Sequence, residues 1–187
     1  HDPVQRACML YLIGKSLVAL GNHQAALPPL QQSLQGQPAQ GHAAYLLGYC
    51  LAQHRQWAEA LLVLQRSCGL APQLPDAWYE QGRVALELGR EQAALAALQR
   101  AVHLRPAWPA ATALLQAARV RVACEQSVPA AAAAMRDALL QSHPPEWLLI
   151  EWCEQAAAFH LAGALAEARL LWQALAQPGI SLQACSH

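Results

Sequence analysis

The sequence predicts an all-α fold assembled from repeated antiparallel helix pairs, and three observations carry that prediction. Ala, Leu and Gln fill long stretches of the 187 residues while Phe and Thr occur once each, a composition that favours helices over pleated strands. Gly14, Gly48 and Gly82 fall 34 residues apart, so the chain repeats itself. Three further columns keep that period: Ala26, Ala60 and Ala94; Leu30, Leu64 and Leu98; Pro38, Pro72 and Pro106.

Each column has a physical reason. Gly and Ala lack bulk and let the two helices of a hairpin approach closely, while the leucines fill the space beside them. Proline then ends the second helix. Turn signals fall between the paired helices at Leu20-Gly21-Asn22 and Leu88-Gly89-Arg90, where glycine takes the left-handed conformation that terminates a helix. The middle hairpin, with His54-Arg55-Gln56, departs from this pattern.

Residues 7–40, 41–74 and 75–108 are the clear repeats. Beyond Trp108 the strict period fails, because the glycine offset holds Gln116; Ala110 to Cys124 and Pro129 to Leu140 still read as helices, giving a degenerate fourth hairpin over 109–148. A longer loop is expected around His143-Pro144-Pro145. Residues 149–182 recover the pattern in part, with Trp152, Ala156 and Phe159 in a first helix, Gly163 at the turn, and Ala168 and Trp172 in a second. Pro178 to His187 reads as a tail or a truncated next helix.

The spacing resembles the tetratricopeptide repeat signature, which places W, L-G, Y, A, F and P at set offsets over about 34 residues. Trp78 supplies the tryptophan of the third repeat. The resemblance is strong over 7–108 and weak over 109–182. It implies one right-handed superhelical solenoid over residues 1–187, acting as a non-catalytic scaffold that holds a peptide or protein segment in its concave groove.

In this family the first helix of each hairpin lines that groove, and offsets 2, 5, 9 and 12 form one helical stripe. The stripe contains Cys8, Tyr11, Lys15 and Val18; His42, Tyr45, Tyr49 and Ala52; Asp76, Tyr79, Arg83 and Leu86. All four tyrosines of the chain lie on it. The expected contact residues are therefore Tyr11, Lys15, His42, Tyr45, Tyr49, Asp76, Tyr79 and Arg83, joined by Trp108 from the loop between Pro106 and Pro109. The competing reading is that the tyrosines pack between hairpins with their hydroxyls at water.

Some family members grip the C-terminal tails of chaperones with a carboxylate clamp. The clamp offsets here hold Tyr11, Lys15, Leu46, Asp76 and Glu80, and two acids would repel a terminal carboxylate. Trp57, Trp147, Trp152 and Trp172 are expected in the core or between hairpins.

Charged residues make up 13% of the chain and the net charge is zero, so the sequence offers no footprint for phosphate backbones and nucleic acid is excluded as a partner. No apolar run approaches a membrane span, and the opening His1-Asp2-Pro3 carries no basic-then-apolar leader. The missing initiator Met suggests a piece of a longer chain. The six cysteines, Cys8, Cys50, Cys68, Cys124, Cys153 and Cys185, are scattered, which reads as free thiols in the cytoplasm.

Chemistry-bearing motifs are weak. Gly14-Lys15-Ser16 echoes the end of a phosphate-binding loop but has Met9 where glycine is needed and lies within a helix. Cys50 and His54 are four apart, with no second ligand pair to complete a metal site. Eight histidines and nine glutamates stand in no hydrolase or metallopeptidase signature. No cofactor and no catalytic residue is expected. Two alternatives remain open: a recognition domain excised from a larger enzyme such as a transferase, and a homo-oligomer formed through the apolar segment Leu165 to Leu175.

Overall fold

The computed structural model describes residues 3–141 and 144–176. Ten helices and no strand occupy these residues: α1 (Pro3–Ala19), α2 (His23–Gly36), α3 (Gly41–Gln53), α4 (Trp57–Leu70), α5 (Pro75–Glu87), α6 (Glu91–Leu104), α7 (Pro109–Gln126), α8 (Val128–Gln141), α9 (Glu146–Leu161) and α10 (Leu165–Leu175). The chain divides into two compact units, His1–Ala111 and Thr112–His187. Pro178 to His187 and His143 lie outside the described residues.

In the N-terminal unit α1 pairs with α2, α3 with α4 and α5 with α6, and successive pairs meet through α2 against α3 and α4 against α5. The period seen in the sequence is a packing contact. A Cβ placed on Gly14, Gly48 or Gly82 would lie 2.6, 2.6 and 2.5 Å from Cγ of Leu30, Leu64 and Leu98, each leucine being fully buried. Only a hydrogen at the glycine position lets the second helix come this close.

The turns after α1, α3, α5 and α9 end the first helix in the same way. Gly21, Gly89 and Gly163 have positive φ, and so does Arg55 at 58°. The turn at His54-Arg55-Gln56 therefore keeps the geometry without the glycine. The amide of Gln56 donates to Leu51 O and that of Arg55 to Ala52 O, as Asn22 does to Leu17 O and Gly21 to Val18 O. These paired bonds satisfy the carbonyls that a helix C-terminus leaves free.

A further periodic contact was not read from the sequence. Ser33 and Ser67, both fully buried, donate to Ala7 O and Gly41 O at 2.8 Å, tying the second helix of each hairpin to the first. The third hairpin has Ala101 at this offset. Helix α2 continues through Pro28 and Pro29; the carbonyls they leave unbonded belong to Gln24 and Ala25, which are exposed to water.

In the C-terminal unit α10 packs against α8 and α9 around Met135, Leu148, Trp152, Phe159, Leu171 and Leu175. Trp152 is buried as expected, but Trp147 and Trp172 are 46% and 39% exposed. The buried stripe of α10 runs Ala168, Leu171, Leu175, so Leu171 takes the place that the 34-residue register assigns to Trp172. Trp147 precedes the buried stripe of α9 and faces away from it. The cysteine reading also needs correction: Cys8, Cys50, Cys68 and Cys124 are free, whereas Cys153 is disulfide-bonded.

Candidate binding face

The expected contact residues in the first two hairpins sit on α1 and α3. Tyr11 is half-buried and Lys15 exposed on α1, with no ion-pair partner for Lys15 among the described residues. On α3, His42 is exposed and Tyr45 and Tyr49 are half-buried one turn apart, their rings tilted with centroids at 6.4 Å. His23, at the start of α2, meets Tyr49 edge-on at 5.4 Å and extends the ring series.

On α5, Asp76, Tyr79 and Arg83 are half-buried, and each is held by a neighbour. Arg105, just past α6, donates to both carboxylate oxygens of Asp76 at 3.2 and 2.9 Å and lies 4.4 Å from the ring centroid of Trp108. The ring of Tyr79 meets that indole at a tilt of 32° with centroids 4.5 Å apart. Trp108 is thus contacted by both a guanidinium and a phenol, although it lies in a loop. Arg83 donates twice to Glu80, at 2.9 and 2.6 Å, and sits 5.9 Å over Trp57.

Two members of this arrangement were missed by the sequence reading, Arg105 and Trp57. Their offsets lie off the stripe of the first helices, and only the packing of neighbouring elements brings them in; Glu80, read as an acid at a clamp offset, pairs with Arg83 within α5.

The electrostatics follow from burial. Glu80 is buried, and its carboxyl is held above the ordinary value; desolvation is the main cause, Asp76 adds to it, and Arg83 opposes it. Burial also raises the Tyr45 and Tyr79 phenols, with Glu80 contributing to both, so each remains a protonated donor at neutral pH. None of the four tyrosine hydroxyls is engaged by another described residue. Arg105 engages both oxygens of Asp76 and Arg83 engages Oε2 of Glu80, while the buried Nδ1 of His23 has no hydrogen-bond partner among the described residues.

Away from the tyrosines, a cavity of about 480 Å³ opens along α1 and α2, lined by Pro3, Arg6, Leu10, Gln32 and Gln35 among others. Among the described residues no group of three or more His, Cys, Asp or Glu is placed to hold a metal ion. No helix of the described residues is long and apolar enough to cross a membrane.

Comparison with known proteins places this geometry. Two tetratricopeptide repeat family models match residues 11–75 and 47–126, together spanning more than half of the chain. No curated sequence matches. Among solved structures, MamA 41-end from Desulfovibrio magneticus RS-1 aligns with a TM-score of 0.68 and 21% identity over 90% of this chain and 92% of its own. YrrB, described as a TPR protein with an unusual peptide-binding site, gives 0.68 and 18% over 89% of this chain and 83% of its own. The first TPR of Spaghetti (RPAP3), solved with the HSP90 peptide SRMEEVD, gives 0.61 and 18% over 64% of this chain and 95% of its own. Identities this low establish the fold alone. With its helical hairpins and its matching family models, the chain belongs to the tetratricopeptide repeat family.

Proposed function

We propose that the protein is a non-catalytic scaffold that holds a segment of another protein across the first helices of its N-terminal hairpins. The observation that carries this reading is the set of half-buried rings that meet in pairs, Tyr45 with Tyr49 and Tyr79 with Trp108. Rings held rigid before binding lose little conformational entropy when a ligand arrives. Tyr11, Lys15 and His42 extend the face on one side and Asp76 and Arg83 on the other. That relatives of this fold include a peptide-bound domain and a described peptide-binding site supports a protein ligand. Asp76 and Glu80 at clamp offsets argue against a free C-terminal carboxylate as the anchor.

Capture from a cell lysate by the parent chain and by its Tyr45→Ala/Tyr49→Ala variant tests this. A protein retained by the parent and lost by the variant, whose helicity is unchanged, supports the reading; identical retained sets overturn it. Self-association is the second reading, favoured by the exposure of Leu165, Leu170 and Trp172 on α10. Light scattering on the isolated chain decides it.

A further inference from the structure

We propose that two copies of this chain pair through α1, each covering the other's exposed apolar stripe with its own α1 in the antiparallel sense. The first argument is that this stripe continues an interface the chain already uses twice. On α3, Ala43, Leu47 and Cys50 are buried on the side turned away from Gly48, where α2 packs. On α5 the same offsets hold Ala77, Gln81 and Val84; α4 packs there, and Ala77, Val84 and the side-chain oxygen of Gln81 are buried. One period earlier these offsets fall on Met9, Ile13 and Ser16 of α1. Met9 is 64% and Ile13 49% exposed, and Leu12, Ser16 and Leu20 are exposed as well. The face therefore has the register of one that accepts a helix, and α2 and α4 each run antiparallel to the helix they cover.

The second argument is that the stripe is complementary to itself. Met9, Ile13, Ser16 and Leu20 stand at spacings of four, three and four, the seam of two paired helices, and that order reads the same in both directions. Leu20 follows α1 directly and keeps its helical bond, its amide donating to Ser16 O at 3.1 Å. Antiparallel pairing about the midpoint between Ile13 and Ser16 sets Met9 against Leu20 of the other copy and Ile13 against its Ser16. Two long side chains meet, and a branched one meets a small one, which fills the seam evenly. A two-fold axis makes each contact twice and is the commonest symmetry of paired chains. The Ser16 hydroxyl already donates to Leu12 O at 2.9 Å, so burying it orphans no donor.

The third argument is charge. Arg6 and Lys15 are the charged residues of α1. Lys15 belongs to the tyrosine stripe, and Arg6 lies a turn ahead of Met9, where the antiparallel partner helix has already ended. The seam thus offers nothing to a charged partner. The exposed stripe of α10 is the rival occupant, but Arg169 stands between its Leu165 and Trp172 and would be buried against apolar side chains without an acid. Tyr11 lies on the opposite side of α1 from the seam, so the pairing leaves the tyrosine face open and does not depend on what binds there.

Sedimentation velocity on the full chain, with thiols kept reduced, tests this from micromolar to near-millimolar concentration, because one helix pair is at the small end of protein interfaces. The parent is expected to pass from monomer to dimer. Ile13→Lys and Ser16→Glu are each expected to weaken the dimer by about tenfold or more, since each places two unpaired charges in the seam. An equimolar mixture of the two variants is expected to recover it: the new ammonium and carboxylate face each other, and the other Ile13–Ser16 contact is native. Trp172→Glu is expected to change the dimer by less than about twofold. A chain monomeric throughout, a dimer indifferent to Ile13→Lys, or a mixture that stays monomeric overturns the pairing. Loss of association on Trp172→Glu also overturns it and assigns self-contact to α10. A monomer whose lysate partner is lost on Ile13→Lys overturns the second copy and gives the α1 face to a foreign helix. Circular dichroism melts should match the parent's, because Ile13 and Ser16 are exposed in the single chain; if either variant unfolds, Met9→Lys mixed with Leu20→Glu makes the same comparison.

Discussion

At the scale of single residues, the fold depends on positions where a side chain is too large or a backbone is constrained. Gly48 faces Leu64 so closely that a methyl group has no room. Gly48→Ala is expected to lower stability by about 1–3 kcal/mol in a denaturant melt, because the second helix must retreat. Arg55 presents the opposite case, a left-handed backbone on a residue with a side chain. Arg55→Gly removes a penalty of about 1–2 kcal/mol and loosens the unfolded chain by somewhat less, so a rise of about 0.5–1 kcal/mol is expected. A fall would show that the Arg55 side chain contributes to the turn. The glycine and leucine columns were legible in the sequence because repetition marks them. The left-handed Arg55 was not, since the conformation is imposed by the two amides that close the turn and no residue type announces it.

At the scale of elements, the binding face combines helices that the sequence could place and partners that it could not. The stripe of α1, α3 and α5 follows from helical spacing, and Tyr11, Tyr45, Tyr49 and Tyr79 lie half-buried along it. Arg105 reaches Asp76 across 29 positions of sequence and Trp57 enters from the start of α4, so neither shares the stripe's spacing. Ser33 and Ser67 escaped notice for a similar reason: a small polar residue inside a helix looks like surface until its carbonyl partner is known. The Glu80–Arg83 pair on α5 gives this scale its pH signature. The Glu80 carboxyl sits above its ordinary value of 4.5, so the folded state holds the proton more tightly than the unfolded chain does. Its contribution to stability is complete below that value and is lost as pH rises through the higher folded-state value. Glu80→Gln is therefore expected to flatten the decline of melting temperature from pH 4.5 upward. A slope equal to the parent's would assign the titration to another group.

At the scale of the whole molecule, the two units differ in how far the sequence disclosed them. Over residues 7–108 the turn signals and the proline column all fall between helices. In the C-terminal unit a one-residue shift along α10 exchanged Trp172 for Leu171, which period-matching cannot detect because both are apolar. Thiol chemistry reports on both units. Burial pushes the Cys50 thiol up to about 11 and that of Cys68 to about 12, while Cys8 and Cys124 are exposed. Iodoacetamide at neutral pH should modify Cys8 in the native protein, Cys124 more slowly because partial burial and Glu151 also push its thiol up, and Cys50 and Cys68 only after denaturant is added. Rapid native labelling of Cys50 would mean that the second hairpin opens locally.

The serine-to-carbonyl bond, the Gly–Leu contact and the left-handed turn of the second hairpin all close within residues 41–74. A gene that lost or duplicated this stretch in frame would still encode matching junctions, because Gln40 would be followed by another first helix in the register it already meets. Excision of 41–74 should leave a shorter chain with a cooperative melt, whereas removing one residue fewer should not. Unequal crossing-over could thus shorten or lengthen the tyrosine row by whole steps, so that the length of ligand engaged is a heritable variable separable from the chemistry of each step.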